Sequence, residues 1–160
     1  MTNTHMNGKN HTRVVLESPY GAATPTEIER NVRYLRMCLH DAIVVHGEAP
    51  MASHGLYTQP GVLRDHVPEE RALGISLGFA WRDVAEKTVV YTDLGISTGM
   101  KDGICHARDA GRPVEYRRLG DAWEVARQTD ADWVFATRQW TGDEGPIEKL
   151  SSLLPALKKR

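Results

Sequence analysis

Short apolar runs alternate with segments of helical periodicity through most of this chain. Three short runs each predict a strand: Arg13–Glu17, Lys87–Thr92 and Pro113–Arg117. Between them, apolar residues recur every three or four positions, which predicts helices over Thr26–Asp41 and from Pro68 to about Trp81. Such alternation indicates βαβ units, and therefore an α/β fold with a mostly parallel central sheet.

The remaining elements follow weaker patterns. Ala42–Val45 either finishes the first long helix or begins a strand, and Gly47–Ala52 is a short extended stretch. With a possible strand at Asp132–Thr137, the central sheet has about five strands. Three further elements are expected. The first is a helix over Asp102–Ala110 that Gly111 ends, the second spans Asp121–Arg127, and the third is a C-terminal helix from about Pro146 to Lys158.

Length and terminal composition define the expected organisation. A chain of 160 residues is typical of one domain. The segment Met1–Thr12 is polar and lacks an apolar signal core, so we expect residues 1–12 to be a disordered lead and residues 13–160 to form the single domain. No apolar run approaches the roughly 18 residues of a membrane span. These features predict a cytoplasmic protein without a membrane partner.

Charge and cysteine content exclude several function classes. The 20 basic and 21 acidic residues give a net charge of -1, whereas a dedicated nucleic-acid binder usually shows a basic domain, so no extended nucleic-acid surface is expected. Cys38 and Cys105 have no disulfide or zinc spacing, and their apolar neighbours predict two buried free thiols. The histidines show no metal-site spacing either. We therefore expect neither a metal nor a cofactor.

Three loops follow the predicted strands and are the expected ligand site. In open parallel sheets, ligands bind outside the carboxyl ends of the strands. The loops that fall there are Ser18–Ala22, Ser53–Arg64 and Asp93–Met100. The middle loop is too long to be a minimal connector, and loops of that length are often binding loops or lids.

The first of these loops contains four candidate ligand-binding residues: Ser18, Pro19, Tyr20 and Gly21. Hydroxyl groups and backbone amides in such a segment can face a ligand, and the start of the following helix attracts an anion. A structural turn without a ligand is the competing interpretation.

The loop Asp93–Met100 lies between the best strand and a helix, and carries the most suitable residues. Its glycines allow close backbone approach, its hydroxyl groups can cap the helix or bind a ligand, and the helix start offers free N–H groups. This combination is typical of a phosphate or ribose cradle, although it matches neither the dinucleotide fingerprint nor the P-loop. An ordinary βα turn is the alternative. The candidate ligand-binding residues are Asp93, Gly95, Ser97, Thr98, Gly99 and Met100.

His54 is a further candidate ligand-binding residue, because it lies beside Ser53 just after an extended segment. A loop histidine that only makes a structural hydrogen bond is the simpler interpretation. Glu70 and Arg71 open the next helix, where a capping role and a surface charge are the simplest interpretation.

Three motifs, in this order and spacing, resemble the nucleoside 2-deoxyribosyltransferase-like superfamily, and in particular its uncharacterised phage and prophage branch. They are Ser18–Gly21 (SPYG), Pro68–Gly74 (PEERALG) and Gly95–Val114 (GISTGMKDGICHARDAGRPV), so the resemblance covers about Arg13 to Arg117. It implies a Rossmann-like, flavodoxin-type three-layer sandwich. It also implies cleavage or transfer of the bond between a base and a deoxyribose. In the enzymes, a glutamate near the start of the helix after the glycine loop attacks the anomeric carbon, and an early tyrosine helps to position it.

Carrying these roles over gives one agreement and one failure. Tyr20 matches the early tyrosine, but the glutamate position falls on Gly103. The neighbouring Asp102 points about 100° away around the helix and does not simply substitute. A carboxylate from another loop would have to take the role, and the candidates are Asp93, Glu17, Glu48 and Glu70. Asp93 is the first choice because it ends the best strand, so the catalytic candidates are Asp93, Tyr20 and Glu70.

Two functions are therefore expected, with a third kept open. The first is a protein that binds a nucleotide- or nucleoside-derived ligand without chemistry, such as a phage-encoded protein that sequesters a nucleotide signal. The alternative is an N-glycosidase or deoxyribosyltransferase that acts on nucleoside monophosphates through a relocated carboxylate. A structural or protein-interaction domain is the third. The resemblance also implies a homodimer or larger homo-oligomer.

Overall fold

The computed structural model describes residues 11–128, without the side chains of Val125 and Gln128. The chain divides into two compact units, Met1–Trp123 and Glu124–Arg160. The sheet and the cleft described below belong to the first unit. Of the second unit, the structure describes residues 124–128.

The elements follow the predicted alternation. The strands are β1 (Arg13–Glu17), β2 (Ala49–Met51), β3 (Lys87–Tyr91) and β4 (Val114–Arg117). The helices are α1 (Pro25–His40), α2 (Ser53–Leu56), α3 (Pro68–Arg82), α4 (Thr98–Asp109) and α5 (Asp121–Gln128).

The four strands of the described part form one sheet in the order β2-β1-β3-β4, and every pair is parallel. Val15 at the centre of β1 lies beside Met51 on one side and Thr88 on the other. The prediction of an α/β fold with a parallel sheet is confirmed, with four described strands rather than about five. The possible strand at Asp132–Thr137 and the C-terminal helix from about Pro146 lie outside the described residues.

One face of the sheet packs against α1. Val14 and Leu16 of β1 and Val89 of β3 are almost fully buried there, together with Tyr34 and Cys38 of the helix. Burying a side chain of this size contributes roughly 1.5–3 kcal/mol relative to leaving it exposed. This cluster therefore fixes α1 on the sheet.

The start of α1 is defined by its sequence. The Thr24 side chain accepts a hydrogen bond from the backbone N–H of Glu27, and the Glu27 carboxylate accepts one from the backbone N–H of Thr24. Pro25 occupies the first turn, where its missing N–H costs nothing. Such a capping box holds the chain that leaves β1 in a fixed direction.

The opposite face of the sheet carries α4. Val90 of β3 packs there against Met100 and Ile104. Because side chains alternate along a strand, Glu17 shares this face with Val15, two residues before it. A charged side chain at the end of β1 is thereby directed to the side of the sheet that α4 covers.

The structure decides two expectations about individual segments. Asp41–Val45 forms a π-helical turn that continues α1, so Ala42–Val45 does not begin a strand. Cys38 is buried, but the prediction was wrong for Cys105, which is exposed because α4 packs through other positions. At the start of the described chain, His11 hydrogen-bonds to the carbonyl of Gly47, and the carbonyl of Thr12 accepts the N–H of Ala49.

Within residues 11–128, no helix combines the length and the apolar character needed to cross a membrane.

Candidate functional site

A cleft of about 360 Å³ lies where the loop after β1, the start of α4 and the segment between β2 and α3 meet. All three predicted loops contribute to it. The predicted site residues that line it are Ser18, Tyr20, Gly21, His54, Glu70, Ser97, Thr98, Gly99 and Met100. Pro19, Asp93 and Gly95 do not line it.

Ser18 and His54 form a hydrogen-bonded pair in the cleft. Ser18 is buried at the end of β1, and its Oγ lies 2.8 Å from Nε2 of His54. Burial, followed by the nearby charge of Arg82, lowers the pKa of His54 to about 4. His54 is therefore neutral at neutral pH, with one ring nitrogen as donor and the other as acceptor.

The start of α4 presents free backbone N–H groups to the cleft. Ser97 caps the helix by accepting a hydrogen bond from the N–H of Met100 at 3.3 Å, while the N–H groups of the first helical residues have no partner within the helix. A Cβ built on Gly99 would meet no other atom within 4 Å. A ligand can thus approach the positive end of the helix without hindrance.

Asp93 does not face the cleft. Its carboxylate accepts hydrogen bonds from the Tyr34 hydroxyl at 2.6 Å and from the backbone N–H groups of Leu119 at 2.9 Å and Gly120 at 2.8 Å. Burial alone would raise the pKa of Asp93, but these hydrogen bonds, with that of Tyr34 foremost, hold it below the ordinary value. Asp93 is an ionised anchor between α1 and the segment after β4, and its oxygens are already used. The nearby Gly95 serves the turn after β3, with a φ of +80° that favours glycine.

Two other candidate carboxylates are held in ion pairs. Glu70 lines the cleft, but it accepts a hydrogen bond at 2.7 Å from Nε of Arg64, whose hydrogen bonds lower the pKa of the carboxyl. Glu48 does not line the cleft and is bound by Arg117 at 2.7 and 2.8 Å and by Lys87 at 2.7 Å.

Glu17 also lines the cleft, and unlike Glu70 it is a buried residue. Its Oε1 accepts a hydrogen bond at 2.6 Å from Nη2 of Arg82. Burial raises the pKa of Glu17 from 4.5 to about 7, although Arg82 and then Arg112 favour the ionised form.

Gly103 makes room for this carboxyl group. A Cβ built on Gly103 would lie 2.6 Å from Cδ of Glu17, nearer still to its Oε1, and 2.9 Å from Nη2 of Arg82. The Glu17 carboxylate therefore occupies the space that a side chain at position 103 would need. The resemblance places a catalytic glutamate at position 103, and the structure puts the carboxyl group of another residue beside it.

Arg82 and Phe79 are cleft residues that the sequence did not single out. The Arg82 guanidinium lies over the Phe79 ring at 4.7 Å from its centroid, which fixes the plane of the guanidinium. Its Nη1 is buried, and no residue of the described part accepts a hydrogen bond from it. Arg82 ends α3, where a basic residue ordinarily serves the helix terminus, so the sequence alone gave no signal for it.

In the part of the chain that the structure describes, no group of three or more His, Cys, Asp or Glu side chains is placed to hold a metal ion.

Comparison with known families adds one finding. The model of a family described as a domain of unknown function (DUF7768) matches residues 12–117, about two thirds of the 160 residues. The chain belongs to this family. No curated protein matches it. The matched residues contain all four strands and all the cleft residues discussed above.

Proposed function

We propose that this member of the family binds a nucleotide- or nucleoside-derived ligand in the cleft, as a binding protein that leaves the ligand unaltered. One observation carries the proposal: the Ser18–His54 pair, the Glu17–Arg82 pair and the open start of α4 line a single cleft. The cleft volume of about 360 Å³ is within the range of small-molecule sites. The α4 start suits a phosphate group, and the polar pairs suit the rest of the ligand.

The sheet order supports this placement. The order β2-β1-β3-β4 agrees with the first four strands of the flavodoxin-type order 2-1-3-4-5, in which ligands bind at the switch point between β1 and β3. We therefore infer a Rossmann-like, flavodoxin-type three-layer sandwich. The loops after β1 and β3 are the two that carry Ser18 and Ser97.

The first test is a thermal-shift panel of nucleosides and nucleotides. A ligand at about 100 times its Kd stabilises by about 2.7 kcal/mol, which for a domain of this size raises Tm by roughly 5–10 °C. Gly99→Asp places a carboxylate in the open space at the α4 start and should abolish the shift by any phosphorylated ligand. Gly99→Asn is the matched neutral control and should retain it.

The same panel can refute the proposal. No shift with any nucleotide would exclude the nucleotide ligand, and an equal shift in the Asp and Asn variants would exclude the α4 start as the phosphate site. Mass spectrometry of a co-purified nucleotide in unaltered form would support sequestration of a nucleotide signal, which the resemblance to phage proteins suggests. Self-association, also suggested by the resemblance, is measured by light scattering with and without ligand.

A second candidate function is hydrolysis of an N-glycosidic bond in a nucleoside monophosphate, and the position of Glu17 favours it. The carboxyl group beside Gly103 would stabilise the positive charge that develops on the sugar, while water adds to the anomeric carbon and the base departs with a proton. The ion pair with Arg82 opposes this role, because it neutralises the carboxylate and places a cation beside the reaction centre. For this reason the binding protein ranks first.

Release of free base from nucleoside monophosphates, followed by chromatography, separates the two functions. Hydrolysis that is lost in Glu17→Gln and kept in Asp93→Asn would establish Glu17 as the relocated carboxylate. The absence of base release from every monophosphate that binds would leave the binding function alone.

A further inference from the structure

One hydrogen bond joins Glu17 and Arg82, and each side chain has a further polar atom that this bond does not use. Oε1 of Glu17 accepts from Nη2 of Arg82 at 2.6 Å, while the other carboxylate oxygen, Oε2, accepts no hydrogen bond from any residue the structure describes. Nη1 of Arg82 is buried without an acceptor among the same residues. A free acceptor and a free donor are therefore carried by two hydrogen-bonded side chains of the cleft lining.

An unpaired N–H on a guanidinium that is nine-tenths buried is unfavourable unless something else supplies an acceptor. A simple anion is a poor match, because it would meet the Glu17 carboxylate as it approached Nη1. A simple cation is equally poor, because it would meet the guanidinium. A neutral group that offers an acceptor and a donor side by side satisfies both atoms.

We propose that Glu17 and Arg82 form a recognition subsite for a planar edge that carries a hydrogen-bond acceptor beside a donor. Amide-type and amidine-type edges of nucleobases have this pattern, and so does a carboxamide. In the complex, an N–H of the ligand donates to Oε2 of Glu17, and a ligand oxygen or ring nitrogen accepts from Nη1 of Arg82. This subsite rests on the proposed function, because it names the part of the nucleotide that the inner end of the cleft recognises.

Two features of the cleft support this geometry. The guanidinium is planar, and its plane is fixed by Phe79 below it and by Glu17 at its edge. Gly99 and Gly103 lie four residues apart and so share one face of α4. The space beside Gly103 is filled by Glu17 and Arg82, whereas the space beside Gly99 is empty. A ligand with its phosphate near Gly99 can extend a planar group toward the pair.

Calorimetric titration with two nucleotides tests the subsite. Adenosine monophosphate has the amino donor beside the ring acceptor, whereas purine riboside monophosphate keeps the ring acceptor and lacks the amino group. The native protein should bind the first about tenfold or more tightly than the second, since leaving a buried polar group unpaired is the cost that such sites exploit.

Glu17→Gln is the decisive variant. Its amide oxygen can still accept from Arg82, which keeps the fold, and its NH2 group then replaces Oε2 as a donor. The preference for adenosine monophosphate should fall to about twofold or less, with purine riboside monophosphate bound as before. Glu69→Gln is the matched control, because Glu69 is an exposed glutamate of α3, the helix that carries Arg82, and does not line the cleft. It should keep the native ratio.

The outcomes separate this inference from the function on which it rests. If both nucleotides bind but Glu17→Gln keeps the native ratio, or the native protein shows no preference, the edge subsite is wrong and the nucleotide cleft stands. If neither these nor any other nucleotide binds the native protein, the proposed function fails and the subsite fails with it.

Discussion

Replacing Gly103 with alanine tests the packing on which the cleft depends. The new Cβ would lie 2.6 Å from Cδ of Glu17 and 2.9 Å from Nη2 of Arg82, so at least one of the two side chains must move. A carboxylate at the end of a flexible side chain would move freely in solvent. Here it is buried and hydrogen-bonded, so moving it breaks the bond to Arg82 and leaves two charged groups with poorer partners.

The magnitude follows from two opposing effects. Alanine gains about 0.5–1 kcal/mol over glycine inside a helix, whereas forcing an extra carbon into a filled site costs typically 1–3 kcal/mol. Gly103→Ala should therefore destabilise the protein by about 1–2 kcal/mol. Gly99→Ala, on the same face of α4 but with empty space around its Cβ, is the matched control and should be neutral or slightly stabilising.

Urea unfolding measures the difference. With a slope of about 2 kcal/mol per molar urea, the midpoints of the two variants should differ by roughly 1 M. The second measurement combines Gly103→Ala with Glu17→Ala, which removes the obstructing carboxylate. In that background the alanine at 103 should become neutral or stabilising. The reasoning is refuted if Gly103→Ala is as stable as Gly99→Ala, or if its effect is the same with and without the Glu17 carboxylate.

Three further predictions concern the titratable groups. The pKa of Glu17 is raised from 4.5 to about 7 on folding, so the native state binds its proton more tightly than the unfolded state and stability is lost as pH rises between these values. Relative to Glu17→Gln, the unfolding free energy should fall by about 3 kcal/mol from pH 4.5 to 7 and then level off. Urea titrations at several pH values measure this difference, and a difference that does not change with pH would contradict the prediction. Because its pKa is lowered to about 4 by burial, His54 should stay neutral from pH 5 to 8 in NMR titration, and a midpoint near 6.5 would show that the imidazole is exposed. Asp93→Asn should lower the free energy of unfolding by about 1–3 kcal/mol, since the amide cannot accept from all three donors, and should leave nucleotide affinity unchanged. Weaker nucleotide binding at unchanged stability would instead show that Asp93 belongs to the ligand site.

The sequence predicted the scaffold well for a physical reason. Strand and helix periodicities are local, and parallel strands bring their carboxyl ends to one edge of the sheet, so the convergence of the loops after β1 and β3 follows from topology alone. These properties need no knowledge of which side chains meet. Ser97 was identified as a possible helix cap, but α4 was predicted to begin at Asp102 and in fact begins four residues earlier, at Thr98, because two glycines interrupt its helical pattern.

The identity of the cleft carboxylate depended on contacts that local pattern does not contain. Glu17 and Asp93 both lie at the carboxyl end of a strand, and the sequence favoured Asp93. The two were distinguished by partners 65 and 59 residues away, Arg82 for Glu17 and Tyr34 for Asp93. One local signal did exist: Gly103 inside a helix is costly unless another group approaches closely, and that group is the Glu17 carboxyl.

Stability alone does not account for the Glu17–Arg82 pair. Taking two charges out of water costs several kcal/mol per ion, and apolar residues of similar size often stabilise a fold as well or better. Two carboxylates with a structural role have protein donors for their oxygens: Asp93 accepts three hydrogen bonds, and Glu48 is bound by Arg117 and Lys87. Glu17 and Arg82 instead keep one unused acceptor and one unused donor inside a cleft. Because the buried and unpartnered Nη1 of Arg82 weakens the folded state, the proposed ligand would account for a pair that stability alone does not explain.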